Sequence, residues 1–491
     1  MAKIKSIKYN FIMNFILTAS NFIFPLITFP YVSRILLASG NGKIAFVSSI
    51  VNYFVMVASL GIPTYGIRIC ATVRDDKDRL SKTVHELILI HSIMTLIAIL
   101  FFLISVYSID KFFQEKELML INGTLLLLNV LGVNWLYSAL EQYDYITIRS
   151  IFFKILSIIL MFALVRNKSD YIVYGAITIF AAAGSNILNF INLKKFIFFK
   201  RYHDYNLKQH MKPIIIFFAQ SMAITIYTNL DTVMLGFMKT DNDVGLYTAA
   251  VKVKTILCSL VTSLGAVLLP RLSYFVSNGR KEEFYILIRK AFGFVLLISM
   301  PLIVYFVIMA KDSILLLSGS GYIDAVSAMQ IIIPSILFIG LSNITGIQML
   351  TPLKKEKYVL ISVVVGAIVD LIINLLCIPP LGAAGAAFGT LMAEIFVLAF
   401  QFIYLKKILR NKILEMNEIT KLLFIPLLAS IPLILFVNLF EFNSFLKLLI
   451  SSCLYFPTCL ILYSMFNERI VYNIRKQVIT NTKKLINNKI K

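Results

Sequence analysis

Long apolar runs alternate with short polar loops along the whole chain. They fall at residues 9–33, 44–67, 84–108, 117–140, 146–165, 171–192, 213–237, 245–270, 287–310, 324–349, 358–378, 383–405, 421–440 and 444–466. An α-helix needs roughly 20 apolar residues to cross the ~30 Å hydrocarbon core, and these runs reach or approach that length. The polar positions inside them recur at helical rather than alternating spacing. The pattern predicts an all-α polytopic membrane protein of about 14 transmembrane helices.

Composition supports that reading. Of 491 residues, 59% are hydrophobic and only 15% charged, too little polar surface to coat a water-soluble globule. The net charge of +22 would suit a nucleic-acid partner if it were gathered into one patch, but it is sorted by loop instead. Counting along the chain, 36 of the 47 Lys and Arg residues lie at the N-terminus, in alternate loops and in the C-terminal tail. Nine lie in the other loops: Arg34, Lys43, Lys111, Lys116, Arg166, Lys168, Lys239, Lys311 and Lys447. Lys252 and Lys254 remain, inside the eighth run. The positive-inside rule then puts both termini in the cytoplasm, as an even number of spans requires. The basic start runs into a full-length apolar helix without a convincing cleavage site, so residues 9–33 are expected to be retained as a span. The tail from Glu468 to Lys491 mixes Ile and Val with seven cations and reads either as a segment lying on the anionic inner leaflet or as a solvated tail.

An internal repeat is visible in the glycines. Gly42 and Gly245 each open a run and stand 203 apart, Gly61 and Gly265 are 204 apart, and Gly175-Ala176 and Gly385-Ala386 are 210 apart. Three matches at a nearly fixed offset suggest two six-helix halves of the same orientation with a central cavity between them. The expected lobes are 1–205 and 206–408, followed by an appendix at 409–491 holding the last two spans and the basic tail.

Polar side chains in hydrocarbon are costly and are expected to face a cavity or one another. Asn14, Asn21 and Thr28 recur every seven residues on one face of the first span; Gln220, Tyr227 and Asp231 make a similar stripe on the seventh. Interhelical hydrogen bonding would explain both stripes as well as cargo contact would. Lys252 shares a face with Gly245, Thr248 and Ala249, whereas Lys254 points elsewhere. Arg34, Arg68, Arg149, Lys154 and Arg271 sit at or near span ends, where they would line vestibules or anchor helices at the headgroups. The acids Asp231, Asp370 and Glu394 are candidates for coupling to H⁺ or Na⁺, or for neutralising lysines; Glu141 and Asp144 close the fourth span. The five cysteines form no C-x-x-C pair, and the four histidines no H-x-x-x-H pair, so buried free thiols and no metal site are expected. Enzyme signatures fail. There is no P-loop, Asp76-Lys77-Asp78 lies in a short basic loop, and Gly382, Gly385 and Gly389 make a helix-packing seam. The chain reads as a carrier without a cofactor, not as an enzyme.

Several segments resemble one family. Pro30-Tyr31-Val32-Ser33-Arg34 with Gly42, Tyr65-Gly66-Ile67-Arg68, Trp135 through Glu141 to Tyr145-Ile146, and Asn229-Leu230-Asp231 leading to Gly245 and Lys252 resemble the polysaccharide-transporter (Wzx-type) flippases of the multidrug/oligosaccharidyl-lipid/polysaccharide (MOP) exporter superfamily. So do Pro270-Arg271-Leu272-Ser273 and Asn374 to Pro379 with Gly382, Gly385-Ala386-Ala387 and Glu394. The resemblance, from about residue 10 to 405, implies two six-helix bundles plus two extra helices, a cationic cavity and alternating access. It implies an undecaprenyl-diphosphate-linked oligosaccharide as cargo, for capsule or another surface polysaccharide, and polymerase and glycosyltransferase partners besides membrane lipids. On that basis Arg34, Arg68, Lys154, Lys252 and Arg271 are the candidates for the diphosphate, and Asn14, Asn21, Gln220, Tyr227 and Asn229 for the sugars. A lipid II flippase is the nearest alternative. A cation-coupled multidrug exporter is disfavoured because residues 9–33 hold no acid, and a membrane glycosyltransferase because no long loop exists.

Overall fold

A computed structural model describes residues 5–263, 265–409 and 416–466. The tail from Glu468 and Lys3, the first cation of the chain, therefore lie outside the described residues. Thirteen described helices are long and apolar enough to cross a bilayer, and they account for every run read from the sequence because the first, Tyr9–Thr72, contains two. At 1.5 Å per residue a continuous helix of 64 residues would be about three times the thickness of the hydrocarbon core, so it must be broken. It breaks at Leu37, where φ is 57° and ψ −174°, and again at Leu60 and Gly61, with φ of 46° and 74°. The polar stretch 34–43 had been expected as a loop; helical hydrogen bonding instead continues to both sides of one left-handed residue.

The described helices pack into two compact units that divide after Thr248. In the first, α1 (Ile7–Ser59) and α2 (Ile62–Thr72) are followed by α3 (Lys77–Ser108), α4 (Lys116–Gly132), the short α5 (Asn134–Ala139), α6 (Tyr143–Leu164), α7 (Tyr171–Ala183), the short α8 (Asn186–Asn192) and α9 (Lys208–Met238). The start of α10 (Asp241–Thr262) completes it. α1 is the hub, packing on α3, α4, α6 and α9. The second unit contains the rest of α10, α11 (Gly265–Ser277), α12 (Lys281–Ile308), α13 (Ala325–Ile332), α14 (Ser335–Asn343) continued by a π-helical stretch Ile344–Leu350, α15 (Glu356–Leu381), α16 (Ala383–Leu409), α17 (Met416–Leu439) and α18 (Ser444–Met465). There α15 pairs along its length with α16, and α17 packs on both α18 and α12. The Tyr305 hydroxyl donates to Leu448 O (2.8 Å) and Arg289 pairs with Glu418 (2.9 Å), tying the last two helices to α12.

Large apolar side chains such as Leu96, Phe101, Phe152, Leu376 and Ile403 are exposed along these helices. A water-soluble surface would not tolerate so many; hydrocarbon solvates them at no cost.

The repeat shows itself in one contact inside the first unit. A Cβ at Gly42 would lie 1.7 Å from Asp241 O, and a Cβ at Gly245 1.9 Å from Ala38 O. Positions 38 and 241, like 42 and 245, are 203 apart, so the contact is reciprocal: each glycine rests on the residue four before the other. Only glycine lets two backbones approach this closely. Around the crossing, Lys111 reaches Asp241 (3.6 Å) and donates to Gly236 O, while Phe46 packs edge-on against Phe237.

Two expectations need correction. The eighth run was expected to be one helix over 245–270, but α10 ends at Thr262 and Pro270 and Arg271 belong to the separate α11. Arg149 was placed at a vestibule; it is 6% exposed and sits inside the first unit. The cysteines are free, with Cys70 and Cys459 buried but Cys453 exposed.

Candidate functional site

The clearest candidate surface is a lysine on α6. Lys154 is half-buried where α6 packs on α1, and its ammonium donates to Ser20 Oγ (2.7 Å) and Asn21 Oδ1 (2.5 Å). The structure thus joins a diphosphate candidate to a sugar candidate. Both partners are neutral, so they orient the ammonium without cancelling its charge.

Among the described residues nine cations are paired with acids, and four of the five diphosphate candidates, like Lys254 on α10, are not. Lys5, Lys43, Arg74, Arg79, Lys82, Lys111, Lys200, Arg280 and Arg289 each lie against an Asp or Glu. Arg68, Lys154, Lys252 and Arg271 have no carboxylate within ion-pair distance among the described residues. Arg68 and Arg271 are exposed, the latter with its guanidinium 5.7 Å from the centre of the Phe275 ring. Arg34 is exposed and donates to Pro30 O (2.5 Å). Lys252 is half-buried in the second unit. Outside the spans the pairing leaves a clear electrostatic mark: the Lys82 ammonium beside Asp204 holds that carboxyl below its ordinary range.

The remaining candidates fall in several places. Asn14 and Gln220 are exposed; Thr28, the third member of the first stripe, is buried and bonds to Phe24 O (3.1 Å). Tyr227 is half-buried. Asn229 donates to Thr225 O (2.9 Å) and accepts from Asn52 Nδ2 (3.4 Å). Asn52, on the second span, was missed, although a lone amide in an apolar run was a readable signal. Asp231 is buried and accepts a hydrogen bond from the Tyr247 hydroxyl, a partner sixteen residues on that nothing in the sequence singled out. In the second unit Asp370 and Asn374 are buried together, and a Cβ at Gly389 would stand 2.2 Å from Asn374 Oδ1 and 2.9 Å from Asp370 Oδ1. Glu394 is buried one helical face along α16. Glu141 and Asp144 are engaged by Arg74 (2.8 Å) with Asn10 (3.2 Å), and by Lys5.

Arg149, five residues before Lys154, answers a different need. The helix breaks at Val133 (φ 37°) between α4 and α5, freeing backbone carbonyls in mid-span. Asn186 donates to Leu128 O (3.0 Å) and Asn189 to Gly132 O and to Asn134 Oδ1 (3.0 Å). Arg149 completes the network by donating to Asn134 Oδ1 and Ser185 Oγ, both at 2.5 Å. Non-helical backbone at membrane depth survives only with such internal partners. No three His, Cys, Asp or Glu side chains cluster in metal-binding fashion among the described residues.

Comparison with known proteins places this arrangement. The family model described as "Polysaccharide biosynthesis protein" matches residues 7–276, and a model named MatE matches residues 216–376. A protein of Escherichia coli (strain K12) named for O-antigen transport is 27% identical over 420 residues, covering 83% of this chain and 98% of its own length. Among solved structures, the lipid II flippase MurJ in an inward closed conformation superimposes with a TM-score of 0.74 at 15% identity, covering 93% of this chain and 99% of that one. An inward-facing multidrug resistance MATE family transporter of the MOP superfamily gives 0.62 at 14% identity, covering 79% and 94%. At such identities these two likenesses speak to the fold.

Proposed function

The chain belongs to the polysaccharide biosynthesis protein family, within the MOP superfamily of transporters, and on that premise we propose that it flips a polyprenyl-diphosphate-linked oligosaccharide from the inner to the outer leaflet of the cytoplasmic membrane. The observation that carries the reading is the set of cations left without carboxylates, above all Lys154, whose ammonium is held only by neutral oxygens. An uncompensated cation in or beside a span is expensive, and an anionic cargo would repay it.

Physical chemistry favours such a route. A sugar headgroup carries many hydroxyls, each costing several kcal/mol in hydrocarbon when unpaired, and the diphosphate costs more. A wet, cationic passage offsets that cost while the polyprenyl tail stays in lipid. In this reading Arg34, Arg68, Lys154, Lys252 and Arg271 meet the diphosphate in turn, and Asn14, Asn21, Gln220, Tyr227 and Asn229 meet the sugars. Residues 1–205 and 206–408 act as the two lobes of an alternating-access carrier. Asp231, Asp370 and Glu394 are the positions where a coupling H⁺ or Na⁺ would bind, and both termini face the cytoplasm. Polymerase and glycosyltransferases would act before and after it, and the substrate's surface polymer is a capsule or O-antigen type.

Deleting the gene should make lipid-linked oligosaccharide accumulate on the inner leaflet. Lys252→Ala should reproduce that accumulation at normal membrane abundance. Unchanged surface polysaccharide and no accumulation in the deletion strain would refute the function; normal output from the variant alone would remove Lys252 from it.

A further inference from the structure

One buried group of titratable side chains in the first unit takes no part in the cargo path described above. Tyr65 on α2, Glu86 on α3 and His210 in the first turn of α9 are 6%, 1% and 2% exposed. The Tyr65 hydroxyl lies 2.8 Å from His210 Nδ1, and His210 Nε2 lies 2.8 Å from Glu86 Oε2. Glu86 also accepts from Asn206 N (2.7 Å) and Gln209 Nε2 (3.1 Å). Three elements distant in sequence are therefore joined through one imidazole.

From this geometry we propose that Tyr65, His210 and Glu86 form a binding site for a single proton that clamps the segment before α9 onto α3. With the imidazole neutral, Nε2–H donates to Glu86, Tyr65 O–H donates to Nδ1, and the buried carboxylate keeps its charge uncompensated. A proton arriving at the Nδ1 lone pair makes Nδ1–H the donor to the Tyr65 oxygen, whose own hydrogen turns away. His210⁺ then faces Glu86⁻, and the pair becomes a charge-assisted hydrogen bond in a low-dielectric surrounding. No other atom changes hands.

Of the neighbouring charges Lys82 is attracted by Glu86 without bonding to it, its ammonium being taken by Asp204. α2 contributes Arg68, exposed, and Cys70, buried, both near Tyr65; α3 contributes Lys82, which pairs with Asp204 (2.6 Å); α9 itself contributes Lys208 and Lys212 at its start. The same segment is held on α3 at other points: Phe198 N donates to Ser81 Oγ (2.9 Å), Tyr202 to Asp78 (3.1 Å), and Lys200 pairs with Asp78. The proton site is thus the buried end of a clamp whose outer part is made of exposed ion pairs. Its consequence for transport rests on the flippase reading, but the site can be tested without any cargo.

The chain's single tryptophan, Trp135, packs in the same core as Tyr65 and presses on Gly66, so it reports on this site. The full chain in lipid nanodiscs should show a one-proton change in tryptophan emission between about pH 5 and 8, where imidazole changes charge. That change should vanish in His210→Gln and persist in His85→Gln, His91→Gln and His203→Gln. A wild type without the transition, its survival in His210→Gln, or its loss in His91→Gln would overturn the proposal. Should His210→Gln fail to fold, Glu86→Gln decides: the transition moves to lower pH by about one unit or more, a tenfold loss in proton affinity, whereas an unmoved midpoint overturns it. Amide exchange across residues 198–207, corrected for its intrinsic pH dependence, should be slower below the transition than above it. Equal corrected rates would overturn the clamp.

Discussion

Arg149 and Lys154 stand five residues apart on one helix, neither has an acidic partner among the described residues, and they do opposite jobs. Arg149 is fully inside the first unit, with Asn134 and Ser185 on its guanidinium and the Tyr145 ring 5.7 Å from it. Lys154 is half-buried between α6 and α1, with Ser20 and Asn21 on its ammonium. The difference lies in what each cation neutralises. Arg149 braces Asn134 and Ser185, side chains beside the broken helix whose freed carbonyls are met by Asn186 and Asn189, and its charge is spent on the fold. Lys154 meets only a hydroxyl and an exposed amide: Ser20 donates to Leu17 O (2.6 Å) without it, and no freed backbone carbonyl is among its partners. An unpaired membrane cation is therefore a functional residue only when removing it would strand no protein atom.

Substitutions can break this contrast. The largest effect is expected from Lys154→Ala, which should cut export at least about tenfold, ~1.4 kcal/mol of lost anion stabilisation, at unchanged membrane abundance. A variant that exports normally would make Lys154 a headgroup anchor. Arg149→Met should act through the fold instead. It removes a donor from Ser185 Oγ and leaves Asn134 Oδ1 to Asn189 alone, at about 1–3 kcal/mol in all, seen as a lower melting temperature in detergent and several-fold less protein in the membrane. Export per folded molecule should stay near wild type, and a fall in that ratio would place Arg149 on the cargo path after all. Asn21→Ala, which removes one oxygen from the Lys154 ammonium but leaves its charge, should reduce export by only about two- to threefold, ~0.5 kcal/mol. Smallest of all should be Lys154→Arg, which keeps the charge and a donor for each oxygen; a severe loss there would mean that shape, not charge, is what α6 presents.

The sequence made the spans legible because a bilayer imposes one length and one composition on every crossing helix. It made the repeat legible through Gly42 and Gly245, since a close backbone approach restricts the residue type. Other features need neighbours that a linear reading cannot supply. An interruption at 34–43 was readable, but not its form: Leu37 is neither glycine nor proline, and nothing in its identity foretells a positive φ. Lys154 and Asn21 are 133 positions apart, Glu86 and His210 124, and only the packing of α1 on α6, or of α9 beside α2, brings them together. Arg149 and Lys154 were indistinguishable on paper because the broken helix that claims Arg149 lies on a different element.

The crossing of residues 38–42 with 241–245 is built from main chain on main chain. At its centre the joint has no side chain to withdraw, so its specificity rests on backbone shape, with Lys111 on Asp241 and Phe46 on Phe237 holding its edges. As long as the two small positions are kept, residues farther from the crossing can vary without altering how the two segments meet.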